Sequence, residues 1–216
     1  MTLEALCAAA KPHALTPRAI VHPDPKTVPK GIRTLVLLGP DEPTFWPHFT
    51  AQPEAQDSAP DPMDRWSRRV LDPIAQRFEG VAILPSDGPP YPAFISWALA
   101  SGHVWQSPVG LLVHRHAGLF LSFRGAIGVP DLWPLSAPVP SPCTSCADKP
   151  CETACPVGAL AAAQVYDVPR CKAHVRSPDG TACRTGCLAR RICPAGLPLG
   201  RALDQSAFHM DAFLRN

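Results

Sequence analysis

Up to about residue 136, short hydrophobic runs alternate with proline-rich breaks. Thr34 to Leu38, TLVLL, predicts a buried strand ended by Gly39-Pro40. The polar, proline-rich stretch from Pro40 to Pro62 predicts mostly loop. Between Asp64 and Phe78, the residues Trp66, Val70, Ile74 and Phe78 recur at four-residue steps, which marks one face of a helix. Pro73 inside that segment predicts a kink or a break into two short helices. Val81 to Leu84 predicts a second short strand. Pro92 to Ala100, with Pro at its start and Gly102 past its end, predicts another helix. Two β-like runs, Val109–His114 and Leu119–Arg124, flank His116-Ala117-Gly118 and predict a hairpin. Trp133 to Pro142 is a proline-rich connector of semi-extended character.

These patterns imply an α+β chain in three parts: residues 1–136, a sheet-and-helix domain; 137–198, a cysteine module; and 199–216, a tail read as a short helix or ordered arm. With 216 residues and 46% apolar composition, the chain can bury a core and is not globally disordered. A net charge of +2 does not suggest a nucleic-acid binder. No window reaches the length of an apolar membrane span. The start, MTLEALCAAAKPHAL, lacks the basic and apolar pattern of an export signal, so a cytoplasmic setting with reduced thiols is expected. G-x-G-x-x-G, Walker A, G-x-S-x-G and H-E-x-x-H motifs are missing, which leaves nucleotide-dependent and hydrolase readings without support.

The cysteines change the picture most. There are nine, and all except Cys7 lie between Cys143 and Cys193. The first set reads Cys143-x2-Cys146-x4-Cys151-x3-Cys155-Pro156. Three closely spaced thiolates followed by a Cys-Pro are the habit of iron–sulfur ferredoxins, where the fourth cysteine serves the other cluster. The x4 gap and the continuation Pro156-Val157-Gly158-Ala159-Leu160 resemble the ferredoxin-like subunits of molybdenum oxidoreductases. The second set, Cys171, Cys183, Cys187 and Cys193-Pro194, is more irregular but also ends in Cys-Pro. Pairing by the ferredoxin crossover would place Cys143, Cys146, Cys151 and Cys193 on one [4Fe–4S] cluster, and Cys155, Cys171, Cys183 and Cys187 on a second. A single cluster is the alternative that the irregular second set leaves open. Zinc, which favours short cysteine pairs, and disulfides, which need an oxidising compartment, are the competing uses of these thiols. Arg170, Lys172, Arg176, Arg184, Arg190 and Arg191 surround the second set. They are expected either to offset cluster charge, to dock an acidic electron partner, or simply to be solvated.

Residues 109 to 160, a hairpin-like VGLLVHRHAGLFLSFRGAIGV followed by a connector and C-x2-C-x4-C-x3-CPVGAL, resemble a stretch of the epoxyqueuosine reductases. Asp167-x2-Arg170-Cys171 and the late Cys183, Cys187 and Cys193-Pro194 resemble later motifs of that family. Its wider superfamily includes reductive dehalogenases and cobalamin-processing proteins. The resemblance implies a small nitroreductase-like domain followed by a ferredoxin-like two-cluster module, with cobalamin as a further cofactor. The N-terminal part departs from the family: it is shorter, no helical-repeat domain follows, and the acidic proton donor has no counterpart, so tRNA modification is not implied. Under the resemblance, His114, His116, Arg124 and Gly125 become candidate corrinoid contacts. The plain alternatives are a solvated hairpin-end histidine and an ordinary strand-end arginine. His209 and Phe208 are read as parts of a docking helix, and Cys7 as a helix-face thiol. Three functions compete: electron transfer to a corrinoid, a simple electron carrier docking a redox partner protein, and a scaffold with a structural cluster.

Overall fold

Every residue from Thr34 to Pro40 is buried, and the strand they form is hydrogen-bonded to another strand on each side. The computed structural model describes residues 1–215. In chain order its strands are β1 (Leu15–Val21), β2 (Thr34–Pro40), β3 (Val81–Ile83), β4 (Val104–Gln106), β5 (Leu112–His114) and β6 (Gly125–Val129). Its α-helices are α1 (Leu3–Ala10), α2 (Phe45–Thr50), α3 (Pro53–Gln56), α4 (Pro62–Arg77), α5 (Phe94–Ala100), α6 (Val168–Arg176), α7 (Thr181–Arg184), α8 (Leu188–Arg191) and α9 (Leu203–Arg215). The fold is mixed α+β.

The chain divides into two compact units. One, here the sheet unit, comprises Met1–His103 and Ser122–Val139; the other, the cysteine unit, comprises Val104–Leu121 and the chain from Pro140 onward. The division expected near residue 136 is therefore displaced, and Val104–Leu121 belongs with the cysteines.

In the sheet unit an antiparallel sheet runs in the order β1-β2-β6-β3. Leu35 pairs with Gly128 and Leu38 with Gly125 across the β2–β6 ladder. Gly125 lets α4 sit close to the sheet: a Cβ there would lie 2.3 Å from Leu71 Cδ1 of α4, so that side chain would have to move. The core gathers Leu35, Leu37, Leu38 and Ile127 from the sheet with Trp66 and Leu71 from α4. Phe45 and Phe49 of α2 meet the Trp66 ring edge-on at 5.5 and 5.8 Å, a favoured aromatic geometry. Charged residues of α4 tie it to its surroundings: Arg69 binds the Glu54 carboxylate, and Arg68 binds Asp87, which also accepts the Leu84 N–H at 2.8 Å.

Three expectations change here. Segment 40–62 is not all loop, because α2 and α3 form in it; Phe45 and Phe49 find Trp66 as a distant apolar partner. Helix α4 runs unbroken through Pro73. The predicted hairpin of Val109–His114 with Leu119–Arg124 is reduced to a single antiparallel bridge between His114 and Gly118: β5 pairs instead with β4, with Val104 opposite His114 and Gln106 opposite Leu112. Leu119 to Phe123 takes no strand structure, and the strand that follows, β6, begins at Gly125 and joins the larger sheet.

In the cysteine unit the regular elements are short apart from α6 and α9. Its buried cluster contains Val109, Val113, Leu119, Leu160, Ala189, Cys151 and Cys193, with Cys143, Cys155, Cys187 and Tyr166 packed against it. Gly118, at φ +52°, lies against the Gly196 backbone, where a Cβ would come within 2.4 Å of the Gly196 nitrogen. The Arg190 guanidinium donates to the Leu119 carbonyl. The β4–β5 segment is thereby clamped onto the chain on either side of Cys193.

Candidate metal centre

The cysteines sit on turns and helix ends, where a side chain can be aimed without disturbing a ladder of backbone hydrogen bonds. Cys143 lies in a turn whose N–H donates to the Ser141 hydroxyl at 3.2 Å. Cys151 sits in a single 3-10 turn opened by Lys149, a left-handed residue at φ +38°, and Pro150. Cys155 precedes Pro156, and its carbonyl accepts the Gly158 N–H at 3.1 Å. Cys193 precedes Pro194 in the extended conformation that a following proline favours. On the other side, Cys171 lies in α6, which Asp167 caps by accepting the Arg170 N–H at 2.9 Å. Cys183 lies in α7, and Cys187 opens α8, its carbonyl accepting from Arg190 and Arg191 at 3.1 and 3.0 Å.

All nine cysteines carry free thiols. Their electrostatic neighbourhoods sort into two sets. Burial raises the Cys143 thiol above its ordinary value, the Ser141 hydroxyl partly offsets this, and the Cys193 and Cys146 thiolates add to it. Burial likewise raises Cys151, with Cys193, Cys143 and Cys146 adding. Cys171 is raised by burial, lowered in part by the Tyr166 hydroxyl, and raised further by Cys187 and Cys155. Cys183 is raised by burial and then by Cys187, Cys155 and Cys171. The first set, Cys143, Cys146, Cys151 and Cys193, also lines one cavity of about 430 Å³ together with Ser107 and Pro108.

This arrangement disfavours free thiolate chemistry. A buried thiol beside other sulfurs stays protonated and is a poor nucleophile. It ionises when a cation compensates the crowded negative charge, as a metal does. Among the described residues, no three His, Cys, Asp or Glu side chains converge closely enough to hold a single metal ion. A cubane differs from one ion in that its four irons occupy separate corners, so its thiolates need to surround a volume and not a point. The first set surrounds a cavity whose lining combines the buried apolar Val113 and Leu119 with the exposed Ser145, Asp148 and Lys149. The donor set therefore fits an iron–sulfur cluster better than tetrahedral zinc.

The second set is enclosed by α9. Phe213 stacks on Tyr166 at 6.3 Å, the Lys172 ammonium lies 5.1 Å from the Phe213 ring centre, and Arg176 donates to the Leu214 carbonyl at 2.8 Å. Burial, followed by the hydrogen bond to Cys171, raises the Tyr166 phenol well above its ordinary range. Of the basic residues noted in the sequence, Arg184 is occupied with the Val175 and Ser177 carbonyls at 2.9 Å each, and Arg190 with Leu119. These side chains hold the module together, while Arg170 is exposed.

The four candidate corrinoid contacts are divided between the units. His114 and His116, expected to share a strand face, do not: β5 ends at His114. His114 is buried, and its Nδ1 accepts the N–H groups of His116 and Ala117 at 3.2 Å each, which folds the turn. His116 is exposed, with its ring 5.7 Å from that of His114. Arg124 and Gly125 belong to the sheet unit. The Arg124 N–H donates to Leu38 O at 2.8 Å, and its Nε is buried with no hydrogen-bond partner among the described residues. Burial lowers its guanidinium below the usual range, and Asp64 partly counters this. Cys7 lies apart on α1.

Ser107, Ser141 and Tyr166 escaped the sequence reading. Single hydroxyls far from or beside a cysteine carry no periodic or spacing signal, so only their placement reveals them. No family model, curated protein or solved structure matches the chain.

Proposed function

We propose that the chain is an iron–sulfur redox protein that passes single electrons through two [4Fe–4S] clusters. Cys143, Cys146, Cys151 and Cys193 would hold one, and Cys155, Cys171, Cys183 and Cys187 the other. The observation that carries this reading is the sorting of eight of the nine cysteines into two sets of four by mutual charge, the first of which also lines one cavity. It is the same pairing that the ferredoxin crossover implies. Each cluster, when bound, supplies a one-electron couple. The chain's own residues do the rest. The Cys-Pro steps turn the backbone away from the ligands, and Val113, Leu119 and Leu160 pack an apolar cluster around Cys151 and Cys193. The Ser141 and Tyr166 hydroxyls lie against Cys143 and Cys171 and favour their charged forms. Free thiols suit a reducing, cytoplasmic setting.

Counting iron and acid-labile sulfide on anaerobically reconstituted protein tests the proposal. About eight of each per chain fits two cubanes and about four fits one; colourless protein without either defeats it.

The resemblance to epoxyqueuosine reductases suggests a corrinoid as electron acceptor. The observation favouring it is Arg124, whose buried Nε lacks a partner and whose charge is only partly countered by Asp64. Mixing the reconstituted, reduced protein with hydroxocobalamin tests this acceptor. A change in the corrin absorption bands and co-elution support it, whereas neither would leave the simple electron carrier as the reading.

A further inference from the structure

The turn that joins β4 to β5 uses both backbone groups of Ser107. Its N–H donates to the Leu111 carbonyl at 2.8 Å, and its own carbonyl accepts the Gly110 N–H at 2.9 Å. Gly110 takes φ +78°, which a side chain would resist. The Ser107 side chain is left over. The residue is only 5% exposed, and its Oγ is buried with no hydrogen-bond partner among the described residues. A hydroxyl in that state carries an uncompensated desolvation cost, so a buried serine of this kind calls for an acceptor.

The surroundings indicate which acceptor. Ser107 lines the cavity whose wall also carries Cys143, Cys146, Cys151 and Cys193. The other groups lining that space from the β4–β5 segment, Pro108, Val113 and Leu119, offer no side-chain acceptor, and Ser145 and Asp148, which line it from the cysteine run, are exposed and make no hydrogen bond to the buried Ser107 Oγ. A cluster in this space would present electron-rich sulfurs, both thiolate and sulfide.

We propose that Ser107 donates its hydroxyl to a sulfur of the cluster held by Cys143, Cys146, Cys151 and Cys193, and so raises the reduction potential of that cluster; the inference rests on the two-cluster reading above. The one-electron reduced cluster carries one more negative charge, so a donor aimed at its sulfur stabilises the reduced form more than the oxidised form. Burial of the Ser107 Oγ strengthens the difference, because a hydrogen bond made by a group out of water is electrostatically stronger than one made in water. Ser107 is a positioning and tuning residue, not a ligand.

The test uses the full chain, reconstituted anaerobically, as wild type, Ser107→Ala and Ser107→Thr. Iron and sulfide are counted first. Potentials are then read by paramagnetic resonance during titration with dithionite, and Fe–S stretching bands by resonance Raman in H2O and in D2O. The expected result is an alanine variant with unchanged iron, one midpoint moved to more negative potential, the other unmoved, and a smaller D2O shift in the Raman bands. Threonine, which keeps the hydroxyl, is expected to restore both readouts toward wild type. Unmoved midpoints in an iron-replete alanine variant would overturn the inference, as would equal movement of both midpoints. If the alanine variant loses iron, the wild-type Raman bands decide, and bands insensitive to D2O would overturn it. Wild-type protein without iron and sulfide is a different result, which defeats the cluster reading itself.

Discussion

The sheet unit buries large side chains. Trp66, Phe45, Phe49 and Leu37 are almost wholly inaccessible, and four antiparallel strands satisfy their backbone groups across one sheet. The cysteine unit buries a set without those aromatic rings: Leu119, Leu160, Val109, Val113, Ala159 and Ala189, with Cys151, Cys183 and Cys193 among them. Its β4–β5 ladder has three residue pairs, and much of its chain runs through turns and single-turn helices. The first region can be ordered by apolar burial and sheet hydrogen bonding. The second has less of both, so under the two-cluster proposal its order is expected to depend on what its thiols hold, since metal binding at such a site is folding free energy.

The sharpest way to break this contrast is to remove iron. Chelation under anaerobic, reducing conditions is expected to abolish amide-exchange protection in α6, α7 and α8 while leaving β2 and β6 protected. Equal protection of both regions before and after chelation would mean that the cysteine unit stands without metal. Next in size, Cys146→Ser is expected to lower iron and sulfide from about eight to about four per chain. Unchanged iron would show that Cys146 is not a ligand. The converse experiment is Trp66→Ala. Emptying the space between Phe45, Phe49 and the sheet is expected to destabilise the sheet unit by about 3–5 kcal/mol in denaturant unfolding, with iron content unchanged. Loss of iron in this variant would show that the two regions do not fold independently.

The smallest effect concerns pH. The hydrogen bond from Arg69 holds the Glu54 carboxyl below its ordinary range, with burial partly opposing it. Because the folded value is the lower one, the stabilisation is fully present above the unfolded value of about 4.3 and is lost as pH falls through the folded value. Glu54→Gln is expected to lower the melting temperature of the sheet unit slightly at neutral pH and to flatten its fall below about pH 4. An unchanged acid limb would show that this ion pair contributes nothing measurable, as exposed pairs often do.

Two Cys-Pro endings and the C-x2-C-x4-C-x3-C run are local spacing signals that were legible without coordinates, and of the two sets they imply the first, Cys143, Cys146, Cys151 and Cys193, lines one cavity. The hydroxyls were not legible. Tyr166 and Ser141 are ordinary neighbours in the chain, and Ser107 lies far from the cysteine whose cavity it lines. His114 misled for a related reason: period-two alternation assumed a strand through residue 116, whereas its Nδ1 folds the chain into a turn at that point.

By itself, the sequence determined the elements whose signal is local. The apolar run of β2, the four-residue rhythm of α4 and the Pro-to-Gly frame of α5 all specify structure through neighbours within a few residues. The tertiary structure alone decided which distant segments pair. β1, interrupted by Pro17 and Arg18, has no clean alternation and becomes a strand because β2 offers it an edge. Val109–His114 could have paired forward or backward along the chain. It pairs backward with β4 because Gly118 packs on Gly196 and Arg190 holds the Leu119 carbonyl, which places Leu119 beside the cysteines. Strand pairing is a choice among long-range partners with similar local preferences, and only packing of the whole chain resolves it.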